Sequence, residues 1–477
     1  MSDRTLLVGP FNRVEGDLEI RLTVEDDHVA AAYCNSPMFR GFEPMLQGKA
    51  PLDALTITPR ICGICSISQS AAAAAALGAI AGQPPAPQGA LVAALLHGIE
   101  NVCDHITHFN LFFGADFARP AYAGRAWHGR AVDRFTAMEG SAVRQCVEAR
   151  AQLLHIVGLL GGKWPHTLAI QPGGVTRAPT ARDRIRIAST LRAFRRYLED
   201  VLFGAPVEAF AGVSTGADLR AWSKGDAGLF MEIAADLRLD QMGAGPGRYM
   251  SFGAYPLPEG RSFGPGLWEN GTLSPLNTDD IVEDVSHAWM VGDAAHPTAG
   301  QTVPDEDMTD PGYSWCKAPR LAGRTVETGA FARQVVDGHA AALDMARSGS
   351  SVTSRVAGRL LEIARMQVLL EGWADAIVPE ARFMDSIEVP RQGSGAGLVE
   401  AARGALGHWV SITDGRIDRY QIIAPTTWNF SPRDASGMPG PVEAALVGAR
   451  VGDGEDTPLS VQHIVRSFDP CMVCTVH

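Results

Sequence analysis

The chain has 477 residues, 46% hydrophobic and 20% charged, with a formal net charge of −12. That is a globular balance, in a chain long enough for one extensive core or two closely joined ones. The acidic surplus excludes a nucleic-acid binder, which needs basic surface. No apolar stretch approaches the roughly 20 residues of a membrane span, and the start MSDRTLLVGPFNRVEG lacks an apolar signal segment, so a cytoplasmic protein is expected.

In chain order, Leu18–Val24 and His28–Cys34 alternate with period two around Glu25-Asp26-Asp27 and predict a hairpin. Ser66–Ala81 is dominated by alanine and predicts a helix that lets neighbouring backbones come close, stopped by Gly82 and Pro84-Pro85. Residues 89–113 are apolar enough for a central buried helix. Residues 131–160 and 180–203 predict amphipathic helices, the second with Arg182, Arg184 and Arg186 on an outer face. Residues 243–275, rich in glycine, proline and aromatics, predict loops and short strands. Helical periodicity returns over 326–347 and 354–376, with the break at 347–351. His408–Ile412 and Arg419–Ile423 flank Asp414-Gly415 and predict a second hairpin. The fold class is mainly helical α+β with small peripheral sheets, in a single large domain over 1–477 whose two ends converge.

Eight cysteines are too few for a disulfide framework in a chain of this size. Cys34, Cys103, Cys146 and Cys316 stand singly and read as buried small hydrophobes. Cys62, Cys65, Cys471 and Cys474 form two CxxC pairs, a donor set suited to zinc, an iron–sulfur cluster, or nickel with iron. The pairs alone favour structural zinc. Zinc modules, however, space their pairs about 15–20 residues apart, whereas roughly four hundred residues lie between these two. The second pair also lies in the last seven residues before and including His477, a stretch that frays unless something anchors it. On residue type alone, Glu15 reads as a turn carboxylate, Glu43 as a surface one, and Arg403 as half of a buried salt bridge. His105 and His108, at i and i+3 on an apolar helix, read as satisfied core histidines.

The text around the cysteines is more specific. Arg60-Ile-Cys-Gly-Ile-Cys65 with Asp469-Pro-Cys-Met-Val-Cys474 and the final His477 resembles the paired signature of nickel–iron hydrogenase large subunits. Further matches in family order are Arg-Val-Glu-Gly at 13–16, Phe-Arg-Gly-Phe-Glu at 39–43 and Asp-His-Ile-Thr-His-Phe at 104–109. Lys-Ala-Pro-Arg at 317–320, Arg-Gly-Ala-Leu-Gly-His-Trp at 403–409 and Tyr-Gln-Ile-Ile-Ala-Pro-Thr-Thr-Trp-Asn at 420–429 complete them. The resemblance implies heterolytic cleavage of hydrogen at a nickel–iron centre whose iron carries carbon monoxide and cyanide. Cys62 and Cys471 would bind nickel terminally, while Cys65 and Cys474 would bridge to iron. Cys471 would first accept the proton, and Glu15 would pass it on. Arg403 would lie over the open site, supported by Asp104 and Asp469. Glu43, the backbone carbonyl of Ile422 and His477 would hold magnesium, with Lys317 and Glu327 in the polar network around it or around the proton path. A small subunit carrying iron–sulfur clusters is the implied partner.

Four departures point within the family. Gln69 stands where histidine is common, Ala402 where proline is common, Ile64 where valine is common and Phe112 where leucine is common. Ile64 and Phe112 would narrow a gas channel. With Gln69 they resemble regulatory, hydrogen-sensing hydrogenases, which implies oxygen tolerance, a histidine kinase partner and a dimer of heterodimers. An uptake enzyme is the alternative; a quinone-reducing respiratory-type subunit, which lacks the cysteines, and a structural zinc protein are more remote. A bond from Gln69 to a bridging sulfur is expected.

Overall fold

Three long helices, Pro87–Thr107, Ser141–Gly161 and Val352–Ala376, build the centre of the computed structural model, which describes residues 4–477. The first packs against both others, and Ala181–Tyr197 closes the group. Pro87–Thr107 is buried almost throughout from Gly89 to Ile106, as its unbroken apolar character requires. Gly98 allows its close approach to Val352–Ala376, because a Cβ there would lie 2.6 Å from Met366 Cε.

The architecture is mainly helical α+β, as expected. The N-terminal hairpin, Glu19–Glu25 with His28–Asn35, turns at Asp26 and Asp27, both left-handed (φ 46° and 60°), and gains a third antiparallel strand, Arg4–Val8. The C-terminal hairpin, Gly404–Thr413 with Arg416–Ile423, turns at Asp414-Gly415 and gains Gly393–Ala401. Helix Ser66–Ala81 lies on that added strand, so close that a Cβ on Gly397 would come within 1.9 Å of the Ala72 carbonyl oxygen. Alanine on one side and glycine on the other make this contact sterically possible. Four short strands between Arg248 and Glu269 occupy the region predicted as loops and short strands.

Several helices differ from expectation. The stretch 131–160 is two helices, His128–Phe135 and Ser141–Gly161, because the chain turns extended at Thr136. The stretch 326–347 is also two, Ala330–Val336 and Ala340–Ala346, separated at Gly338 (φ 82°). Its first residues are extended: Glu327 bridges Tyr249 and accepts the Met250 N–H. The stretches 89–113 and 180–203 have the expected extents but end in π-helical turns, His108–Phe113 and Leu198–Leu202.

Asp116, just beyond the first π turn, ties the two chain ends together. Arg466 Nη1 lies 2.9 and 2.8 Å from its carboxylate oxygens, and Arg13 binds the same carboxylate. A second buried hub lies at Glu362, which Arg333 grips with bonds of 2.7 and 2.9 Å while His105 Nε2 approaches within 3.1 Å. Burial pushes the Glu362 carboxyl up, but Arg333 and His105 outweigh it and hold the pKa at about 2, below the usual 4.5. A depressed carboxylate stabilises the fold above its unfolded pKa, and that contribution fades as pH falls from 4.5 toward 2. Glu362→Gln is therefore expected to weaken the fold at neutral pH and to flatten the acid limb of its stability profile. An acid limb as steep as wild type in pH-dependent thermal unfolding would contradict this.

Candidate metal centre

Cys62 and Cys65 lie on the turn that enters helix Ser66–Ala81. No side chain within that turn caps the helix. Glu100, projecting from Pro87–Thr107, does so instead, accepting the Ile67 and Ser68 N–H groups at 2.8 and 2.9 Å and Trp164 Nε1 at 3.1 Å. Burial raises the Glu100 carboxyl to about 7, against the opposing pull of those N–H groups. The central helix thereby fixes where the first CxxC turn ends.

Cys471 caps the start of the last short helix, Met472–Thr475, and Cys474 lies within it; the helix is reached through a left-handed Asp469 (φ 57°). Met472 N–H donates to the Glu15 carbonyl at 2.6 Å, Cys471 N–H to Thr426 Oγ1 at 3.2 Å, and Thr427 Oγ1 to the Thr475 carbonyl at 2.9 Å. All four cysteines are buried and free of disulfides. Their sulfurs converge: Cys62–Cys471 is 3.5 Å, Cys65–Cys474 3.2 Å and Cys471–Cys474 3.2 Å. These separations far exceed the disulfide length of about 2.05 Å, and they suit sulfurs sharing a metal at about 2.3 Å. Hydrogen bonds from Cys471, Cys474 and Cys65 hold the Cys62 thiol well below its usual pKa. A buried all-sulfur set of this kind fits soft metals such as nickel and iron.

Arg403 is buried beside the sulfurs. Its Nη1 lies 2.5 Å from Asp104, its Nη2 3.0 Å from the Asp469 carboxylate and its Nε 2.8 Å from the Asp469 carbonyl. Burial disfavours its charge, but the two aspartates outweigh that and raise its pKa further. The expected buried salt bridge of Arg403 is present, and it is shared between two aspartates. Glu15 is half-buried, and burial together with Cys62 raises its pKa against the opposing Arg403 and Arg40.

His105 and His108 are core histidines as expected, but only half satisfied: each bonds through Nε2, while its Nδ1 has no partner among the described residues. His105 does have a carboxylate partner, Glu362, which lies on another helix and so escaped the sequence pattern. His108 Nε2 donates to the Arg466 carbonyl at 2.6 Å, and Arg359 donates to the neighbouring Ser467 carbonyl at 2.7 Å.

Glu43 is not a surface carboxylate; it is buried with His477 Nε2 at 3.3 Å. It accepts the Ile422 N–H at 2.7 Å and the Thr302 hydroxyl. Burial pushes its pKa up, but Lys317 and His477 outweigh that and hold it at about 2. Lys317 lies 2.9 Å from Glu283 and 3.9 Å from Glu43. Two buried carboxylates therefore face one ammonium, and Glu283 Oε1 has no hydrogen-bond partner among the described residues. The surplus negative charge and the free oxygen fit a hard divalent cation. A strand residue's N–H and C=O project to the same side, so the Ile422 carbonyl shares the edge at which its N–H meets Glu43.

Two expectations change. Glu327 is remote from this network: it pairs with Arg355 at 2.9 and 3.0 Å and accepts Ser350 Oγ at 2.7 Å. Gln69 bonds no sulfur; its amide oxygen meets His408 Nε2 at 2.8 Å, and His408 Nδ1 meets Tyr420 at 2.8 Å. Its amide nitrogen has no partner among the described residues. Phe112 and Ile64 are partly exposed. Ile64 N–H points at Cys62 Sγ (3.3 Å), and the Phe112 carbonyl accepts Arg13 Nη1 at 2.8 Å.

Sequence reading missed Glu100, Asp116, Arg359, Thr426 and Arg40. Arg40 and Thr426 carried a signal, since they lie in the quoted segments 39–43 and 420–429. The geometry predicts that Glu43→Gln, which removes the charge facing His477 and Lys317, loosens the last residues. Amide hydrogen exchange at Met472–His477 should rise by about tenfold or more, equivalent to about 1.4 kcal/mol; unchanged protection would contradict it.

Residues 40–133 and 143–477 match the family model for nickel-dependent hydrogenases. The chain is 29% identical to the periplasmic NiFeSe hydrogenase large subunit of Desulfomicrobium baculatum, covering 98% of this chain and 94% of that one. It is 27% identical to the hydrogenase-2 large chain of Escherichia coli K12, over 100% and 97%. It is 26% identical to the uptake hydrogenase large subunit of Rhodobacter capsulatus, over 99% and 95%. Its fold matches the reduced Ni-Fe-Se hydrogenase of D. vulgaris Hildenborough with a TM-score of 0.86 at 28% identity, covering 100% of both chains. With its four cysteines gathered in one buried cluster, the chain belongs to the nickel-dependent hydrogenase family, as one of its large subunits.

Proposed function

We propose that this large subunit splits hydrogen heterolytically on Cys62, Cys65, Cys471 and Cys474, and does so as a cytoplasmic hydrogen sensor that reports to a histidine kinase. The observation that carries the catalytic part is the convergence of four buried sulfurs beside the guanidinium of Arg403. Cys62 and Cys471 would hold the nickel, and Cys65 and Cys474 would hold it together with the iron. The nickel–iron centre, with carbon monoxide and cyanide on its iron, supplies the site that polarises hydrogen and takes up its electrons.

The chain's own residues handle the proton. Cys471 is its first acceptor, since a thiolate at the reacting position needs no further approach. Arg403 is unsuited to that role, because its charged form is stabilised by two aspartates. It orients and polarises instead, held by Asp104 and Asp469. Glu15, joined to Met472 through the backbone and raised in pKa by burial, carries the proton outward. Glu15→Gln should keep metal content and fold while cutting proton–deuterium exchange about a hundredfold or more, the lower end of the range for a lost acid–base group, roughly 10²–10⁴. Full exchange in that variant would sink the relay.

Glu43, the Ile422 carbonyl and His477 would hold magnesium, a reading supported by the two carboxylates around Lys317 and the unpartnered Glu283 oxygen. Electrons leave through a small subunit with iron–sulfur clusters; Cys34, Cys103, Cys146 and Cys316 are buried singly and offer no cluster site. Two such heterodimers form the sensor assembly.

The sensor reading rests on Ile64, Phe112 and Gln69. The likeness to uptake subunits keeps an uptake enzyme as the second reading. Replacing Ile64 by Val and Phe112 by Leu should widen gas access and speed inactivation under oxygen. A double variant as oxygen-tolerant as the parent would remove the channel argument.

A further inference from the structure

The segment Phe39–Glu43 reaches both halves of the centre. Glu43 holds His477. Three residues earlier, one nitrogen of Arg40, Nη2, donates both to the carbonyl of Ile61 and to the carbonyl of Val473. Ile61 immediately precedes Cys62, and Val473 immediately precedes Cys474. A single guanidinium therefore spans the two CxxC turns, which the sequence separates by roughly four hundred residues.

The side chain is itself constrained. Its Cζ lies 4.9 Å from the Phe42 ring centroid, in the range of a cation–π contact. Both acceptors are backbone carbonyls, so the contact reads the path of each turn and is indifferent to its side chains. Charge-assisted bonds of this kind are about twice as strong as neutral ones, and two on one nitrogen fix the distance between the carbonyls. That distance sets the distance between the sulfur pairs.

We infer that Arg40 is a positioning residue that clamps the two CxxC turns onto each other and so sets the geometry of the four sulfurs. It touches neither the reacting atoms nor a sulfur, and its effect passes through the backbone of Ile61 and Val473. The inference rests on reading the four cysteines as the metal's ligands.

The test uses the purified heterodimer and its Arg40→Ala and Arg40→Lys forms. Nickel release to excess chelator should be faster in Arg40→Ala by about 10- to 100-fold, the usual cost of losing support around a metal ligand. The infrared bands of the centre should shift as well. Arg40→Lys, with a compact ammonium in place of the fork, should fall between. Amide exchange at Gly63–Cys65 and Cys471–Cys474 reads the clamp whatever metal is bound, and should quicken in both variants. A wild type lacking nickel would overturn the metal reading while leaving the exchange result to decide the clamp. Wild-type exchange and nickel release in Arg40→Ala would overturn the clamp; if that variant does not fold, the same result in Arg40→Lys does so.

Discussion

Residues 471–477 supply two of the four clustered sulfurs, and only contacts with distant parts of the chain can fix them against the other two. Everything else in the structure serves that constraint. This segment and the residues leading into it are held by their backbone: Glu15 and Thr426 take the N–H groups of Met472 and Cys471, while His108, Arg359, Arg403, Arg40 and Thr427 take the carbonyls of residues 466, 467, 469, 473 and 475. The holding groups come from six different parts of the sequence. The centre therefore forms only when the whole fold has formed.

Holding the segment with buried charge costs desolvation, which unpaired charges would not repay. Arg403 meets two aspartates, Arg333 two glutamates, and Arg466 shares Asp116 with Arg13. Around Lys317 the ratio is likewise two carboxylates to one cation, with His477 beside Glu43 and one Glu283 oxygen without a hydrogen-bond partner among the described residues.

The ends of the chain were the most legible part of the sequence, because metal ligands need particular atoms at particular spacing. The four cysteines, Glu43 with His477, and Arg403 with Asp104 and Asp469 meet in space as their motifs imply. Both hairpins were legible from alternation and turn residues, and the alanine helix from composition. Glu100 and Asp116 were not: each acts on elements far away in sequence, and nothing in its neighbours marks it. Glu327 and Gln69 misled for the same reason, since their partners Arg355 and His408 are long-range. Helix breaks at Thr136 and Gly338 were missed because apolar periodicity continued through them, and tertiary packing decided the backbone there.

The most direct test is to measure metal and infrared absorption together on the purified protein with its small subunit. One nickel and one iron per chain, with bands from metal-bound carbon monoxide and cyanide that vanish in Cys471→Ser, would be the predicted result. Stoichiometric zinc without nickel, or a centre unaffected by removing Cys471, would contradict it.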